Sequence, residues 1–365
     1  MFGYFKGALI FTVVFLALAA WLGWSITGTA AGTLGVLWIV AVLGVLEVSL
    51  SFDNAIVNAT VLKDMTKVWR QRFLTWGIAF AVFGMRIIFP LAIVAIAAHV
   101  GPFEAVRLAA GDPVEYERII TGAHVGISGF GGSFLAMVGL KFFFDQEKDV
   151  HWIGVIEKRL ARFASVDALE IGLILLALYG VSKLLPGEEA AVFIVAGIFG
   201  LLAFIAVEAI GSLLEPEDAA GPDLTSTVAR SGLAGFLYLN VLDSAFSFDG
   251  VIGAFALSNN IFVIALGLGI GAMFVRSMTI MLVDRGMLTQ YRYLEHGAFY
   301  AILALSAILL ISARYPVPDV FTGLVGAVLI GLSLWGSARY NRANPDIAQT
   351  GASDPILPDS SRLNV

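Results

Sequence analysis

Apolar residues run along this chain in long blocks separated by short polar connectors, and the blocks fall near 8–27, 31–62, 73–98, 125–144, 167–185, 189–214, 229–258, 261–283, 293–312 and 319–338. About 20 apolar residues, rising 1.5 Å each as a helix, cross the hydrocarbon core of a bilayer. The pattern therefore predicts an all-α, polytopic membrane protein of about ten transmembrane helices. Residues 1–342 read as a single transmembrane domain; 343–365, with Pro345, Pro355 and Pro358 among Ser and Asp, read as a disordered cytoplasmic tail. The first block has the small residues of a signal peptide but continues through Trp21 and Trp24 to spanning length, so it is read as an uncleaved span. In the connector 145–166, Ile153, Ile156, Leu160 and Phe163 recur at helical spacing beside Glu157, Lys158, Arg159 and Arg162, which predicts a helix on the inner leaflet.

Composition agrees and removes several functions. Of 365 residues, 59% are hydrophobic and 14% charged, against about a quarter charged in soluble domains. The chain has no cysteine, which excludes thiolate metal sites and thiol nucleophiles. Its four histidines form no HExxH pair, and a net charge of −6 gives no footing for nucleic acid. Lys and Arg set the orientation. The connectors assigned to one side, with the two termini, hold 16 of the 22, among them Lys63, Lys67, Arg70, Arg72, Lys141 and Lys148. The excess of positive charge on the inner side places both termini in the cytoplasm, with a bacterial inner (plasma) membrane as the setting. The acidic connector 215–228 lies on that side too, but acidic residues contribute little to topology.

One pattern inside the spans occurs twice. Glu47-Val-Ser-Leu-Ser51-Phe52-Asp53-Asn54 in the second span matches Asp243-Ser-Ala-Phe-Ser247-Phe248-Asp249-Gly250 in the seventh, at a constant offset of 243 − 47 = 196. Each motif span precedes a span with one arginine, Arg86 or Arg276, and then a glycine-bearing span. Two three-helix repeats result, about 31–144 and 229–338. Five crossings separate the motifs, so they enter the membrane from opposite sides. Inverted repeats of this kind build transporters, with the site at the midplane where the units meet.

The carboxylates set the chemistry. Each ionisable residue near the bilayer centre costs about 2.5–3.5 kcal/mol, which a cation, an arginine or protonation relieves. Glu47, Asp53, Asp243 and Asp249 with Arg86, Arg276 and one divalent ion sum to zero formal charge. Acids six apart on a continuous helix point about 240° apart, so a break is expected beside Asn54 and Gly250, with Ser51 and Ser247 bonding the freed backbone. Asp53 and Asp249 would then converge on one ion. Such an all-oxygen site suits Mg²⁺, Ca²⁺ or Mn²⁺. Arg86 and Arg276 read first as structural partners; Asn58 and Asn240 either bridge helices or line a pathway. Glu170, Glu208 and the histidines, at span ends or in connectors, read as solvated. The glycines of 126–132 and 267–271 read as packing surfaces.

At these residues the sequence resembles a known family. EVSLSFDNAIV with Arg86 in the next span, and DSAFSFDGVIGAF with Arg276 in the next, are similar to the TerC integral membrane proteins of the LysE-type transporter superfamily, and most of all to a branch without an assigned function. The likeness covers both repeat units. It implies tellurium resistance or manganese efflux as function, and Glu47, Asp53, Asn54, Asp243 and Asp249 as metal-handling residues, with Ser51, Ser247, Arg86 and Arg276 in support. The two spans at 167–185 and 189–214, and Gly250 in place of an asparagine, depart from the commoner pattern. Mn²⁺ is the expected substrate rather than a permanent cofactor, the partners are the lipid bilayer and that ion, and no enzyme activity is expected. Two alternatives stand beside this reading. One is a membrane-protein assembly or insertion factor, the role linked to a plant relative in the TerC family; the other is a proton-relay protein. An intramembrane aspartyl protease would need a GxGD motif, absent from both repeats.

Overall fold

The computed structural model describes residues 2–145, 148, 150–163, 168–213 and 232–344. Among them there is no strand, and the fold is an all-α membrane protein. The helices are α1 (Phe2–Thr27), α2 (Ala30–Leu50), α3 (Phe52–Asp64), α4 (Lys67–Ala79), a π-helical stretch (Phe80–Ile88), α5 (Phe89–Ala97), α6 (Pro102–Gly111), α7 (Pro113–Gly122), α8 (His124–Phe144), α9 (Gly154–Phe163), α10 (Leu169–Ser182), α11 (Gly187–Leu213), α12 (Leu233–Ala254), α13 (Ile261–Asp284), α14 (Met287–Gln290), α15 (Leu294–Ser312) and α16 (Asp319–Ala343).

Every predicted span is helical, and a stricter test of length and apolarity sorts these helices further among the described residues. Seven helices qualify, and an eighth if the bent run from α4 to α5 crosses once. The other two segments fail for different reasons. α10 has only 14 residues, whereas α12 has 22 but carries Asn240, Asp243 and Asp249 among its apolar residues. The acidic connector 215–228 and the predicted tail from 345 onward lie outside the described residues.

The two units pack reciprocally. The first helix of each, α2–α3 or α12, contacts the second and third helices of the other, and the third helices, α8 and α15, contact each other. Corresponding helices also run in opposite directions. Ser128 meets Ser312, Gly132 accepts a hydrogen bond from Ser306, and Phe142 stacks on Phe299, so positions rise along α8 as they fall along α15. In the same way Glu47 lies beside Gly250 and Asn54 bonds to Asp243. The units are therefore inverted relative to one another.

Glycines set the close approaches, as predicted. A Cβ on Gly271 would fall 2.4 Å from the Cβ of Glu47, and one on Gly129 would fall 2.6 Å from the Phe193 carbonyl oxygen of α11. The first contact lets α13 lie against the motif helix; the second fixes the extra helix α11 on α8, where Ser133 Oγ also donates to the Gly197 carbonyl at 2.7 Å. Outward faces of α1, α2, α11 and α16 remain apolar and exposed, including Trp21, Trp38, Phe199 and Trp335, as a lipid-facing surface requires.

α9 forms where predicted, with Glu157 buried: its carboxylate accepts from the backbone of Trp152 and Ile153 and from Tyr300. Two expectations at the helix ends are corrected. His296, read as solvated, is also buried, its Nε2 bonded to the Val150 carbonyl at 2.8 Å and 3.5 Å from Glu157. Glu208 is half-buried and pairs with Lys141 at 3.3 Å. Polar connectors fold back onto a membrane bundle when such partners replace water, and sequence position alone does not reveal the partners.

Candidate functional site

The helix break lies at Ser51, three residues before the expected place. Ser51 leaves helical geometry at φ −104°, ψ 20° and ends α2 and begins α3. Its side chain does not bond freed backbone; Ser51 Oγ donates to Glu47 Oε1 at 3.3 Å. The second motif has no break, since α12 runs unbroken through Asp243, Ser247, Asp249 and Gly250. Gly250 has another use. A Cβ there would fall 3.3 Å from Glu47 Oε2, so the missing side chain leaves room for that carboxylate. Ser247 is buried with its hydroxyl unpartnered among the described residues.

Starting α3 at Phe52 changes where the acids point. Asp53 lies in the first turn of α3, where a helix N-terminus favours negative charge, and its Oδ1 accepts the Asn54 backbone N–H at 2.8 Å. Successive residues of a helix differ by about 100° in direction. Asp53 accordingly faces α16, with Oδ2 3.3 Å from where a Cβ of Gly326 would stand, while Asn54 faces α12. Asn54 Nδ2 donates to Asp243 Oδ1 at 2.8 Å, a bond across the two units. The side chain of Asp249, like that of Phe248, lies outside the described residues.

Between the units is a cavity of about 40 Å³ lined by Glu47, Asn54, Asn58, Arg86, Asn240, Asp243, Arg276 and Thr279, with Phe73, Gly77, Ala272 and Val275. A water needs about 10–15 Å³ measured in this way, so the space holds a few waters or one partly dehydrated ion. Glu47 is 4% exposed and forms a buried ion pair with Arg86 of the π-helical stretch. π-Helical turns are rare and gather at functional sites. Arg276 also lines the cavity, and its Nε has no hydrogen-bond partner among the described residues. Asn54 Oδ1 and Asn58 Oδ1 are likewise buried and unpartnered there.

Five of the nine residues singled out in the sequence thus share one cavity: Glu47, Asn54, Asp243, Arg86 and Arg276. Asp53 turns away from it, and Ser51 reaches it only through Glu47. Asn58 and Asn240, left open between bridging and lining, line it. Thr279 was not singled out. It lies three residues after Arg276, the one-turn spacing that would have found it. Among the described residues no three His, Cys, Asp or Glu side chains gather closely enough to hold a metal ion by themselves, so any cation held here draws on amide and hydroxyl oxygens as well.

The profile of one protein family matches residues 52–344, beginning at the first residue of α3. The chain belongs to the DUF475 family of proteins of unknown function. The matched segment takes in Asn54, Asn58, Arg86, Asn240, Asp243, Arg276 and Thr279. No curated protein and no solved structure matches the chain.

Proposed function

We propose that this DUF475 protein carries a divalent cation across its membrane, with Mn²⁺ as first choice and efflux as direction, by alternating access between its two inverted units. The observation that supports this best is the bond from Asn54 of one unit to Asp243 of the other, at the wall of a small cavity with unpartnered amide oxygens. Hard oxygen donors suit Mn²⁺, Mg²⁺ or Ca²⁺, and a site between inverted units is where such transporters place their substrate. The choice of Mn²⁺, the outward direction and a TerC-type relationship rest on the motif resemblance. So does the bacterial inner membrane, while the cytoplasmic termini rest on the Lys and Arg bias.

In this mechanism Asp243 and the amide oxygen of Asn54 replace water around the ion. The Glu47–Arg86 pair neutralises the opposite wall, and the break at Ser51 lets α3 tilt against α2. Cellular manganese measured with and without the gene under manganese load tests the proposal. Expressing cells should hold less Mn; higher retained Mn sinks efflux, and equal Mn together with no Mn²⁺ flux in liposomes sinks the cation reading. A proton relay is the second reading. It is favoured by the lack of an acidic cluster among the described residues, and it would leave proton flux without metal flux in the same liposomes.

A further inference from the structure

The cavity is not uniform along its length. One end of the bundle is marked by Lys63 of α3, which pairs with Glu295 of α15 at 3.3 Å, and by Trp69 of α4, which packs on Gly232 at the start of α12. Asn58 lies one turn beyond Asn54 on α3 toward that basic end. Asn240 lies one turn before Asp243 on α12, toward Gly232, and Thr279 one turn beyond Arg276 on α13, toward Asp284. Three elements thus each place a neutral side chain one turn nearer the basic end than the charged or bridging one. All the charged lining residues occupy the inner layer, while Asn58, Asn240 and Thr279 form an outer, neutral layer.

The outer layer is prepared to accept. Asn240 Nδ2 donates to the Phe236 carbonyl at 2.6 Å, and a carbonyl can receive only from the amide nitrogen, so Oδ1 is left as acceptor. Thr279 donates its hydroxyl proton to the Val275 carbonyl at 3.1 Å, which leaves the lone pairs of Oγ1. Asn58 is 5% exposed and its Oδ1 has no partner among the described residues. An unsatisfied buried acceptor is costly, and water or a cation in the cavity would offset that cost. The repeat does not require these residues. At the offset of 196 the counterparts of Asn58 and Asn240 are Ala254 and Gly44, and at the offset of 276 − 86 = 190 that aligns Arg276 with Arg86 the counterpart of Thr279 is Phe89, so the outer layer exists on one side of the pseudo-symmetric site only.

We propose that Asn58, Asn240 and Thr279 form a second, carboxylate-free station for the transported cation, lying between Asp243 and the basic end of the bundle. The station rests on the cation reading above. Its neutral oxygens let the ion shed water in steps and leave again, because passage needs binding strong enough to admit an ion and weak enough to release it. The absence of a matching layer on the other side makes the two half-paths unequal.

The test uses the full chain, purified and reconstituted, with Mn²⁺ as probe in equilibrium binding and in liposome flux. Asn58→Leu and Thr279→Val should keep the Kd within about threefold of wild type yet lower the initial flux about tenfold or more, as expected of groups used in passage more than in residence. Asn58→Asp should do the reverse, tightening binding about tenfold and slowing release. Should Asn58→Leu fail to yield folded protein, Thr279→Val, which keeps shape, and Asn58→Asp decide. Wild-type flux in Thr279→Val with unchanged affinity in Asn58→Asp overturns the station. Loss of binding in Thr279→Val as complete as in Asp243→Asn also overturns it, by showing a single site. If wild type itself neither binds nor moves Mn²⁺, the cation reading fails and the station with it.

Discussion

The two copies of the Ser-Phe-Asp motif occupy equivalent places in inverted units, yet they are built differently. In the first, the helix breaks at Ser51 and Asn54 reaches across to Asp243. In the second, the helix is continuous, and Gly250, the counterpart of Asn54, makes no reach but leaves room for Glu47. The first acids differ to match. Glu47 is held in a buried pair with Arg86, while Asp243 meets a neutral amide. The lesson is that one unit supplies a fixed, neutralised wall and the other a carboxylate with coordinating capacity to spare. A symmetric site would hold its two carboxylates alike; here Glu47 is paired with an arginine and Asp243 is not, among the described residues.

That difference predicts unequal outcomes for equivalent substitutions. The largest effect should come from Asp243→Asn, which keeps shape but removes the free carboxylate: metal-dependent protection should disappear while the amount of protein in the membrane stays near wild type. Glu47→Gln should instead lose protein, because breaking a buried pair by removing one partner costs about 3–5 kcal/mol. Replacing Arg86 as well, with Met, should recover folded protein, as read by thermal unfolding in detergent. Equal loss of protein from both single variants would erase the distinction between wall and ligand.

A smaller effect is expected from making the second motif like the first. Gly250→Asn places atoms where 3.3 Å now separates the site of a Cβ from Glu47 Oε2, and overpacking of this kind costs about 1–3 kcal/mol. The midpoint of unfolding should fall accordingly. An unchanged midpoint would show that the Glu47–Arg86 pair has room to move.

The smallest effect concerns the connectors that follow the third helix of each unit. After α15, Arg314 and Tyr315 are exposed. After α8, Lys148 is placed over the Phe142 ring and donates to the Phe142 carbonyl at 3.3 Å. Burial pushes this ammonium down to about 8, against the pull of Glu157, Glu295 and Asp145. A base whose folded pKa is lowered destabilises the fold below that pKa, and the penalty is relieved as pH rises through 8 toward its unfolded value. Stability should therefore gain about 1 kcal/mol between pH 7 and 9. Lys148→Met should flatten that part of the pH profile, and an equal slope in the variant would assign the titration elsewhere.

Much of this protein is determined by its sequence. Apolar blocks of spanning length dictate membrane helices because a bilayer satisfies no backbone group, and the offset of 196 between the motifs discloses the repeat. The residue types at the site were legible too, since carboxylates and arginines in apolar spans need partners. Tertiary structure decided which partners. A one-residue step on α3 turns Asp53 toward α16 and Asn54 toward Asp243, and periodicity alone does not reveal the helix break that sets this direction. The burial of Glu157 and His296 was likewise settled by where a connector folds back, which depends on contacts between residues as far apart as Val150 and His296. Local sequence fixes which groups must be satisfied; only the packed bundle fixes what satisfies them.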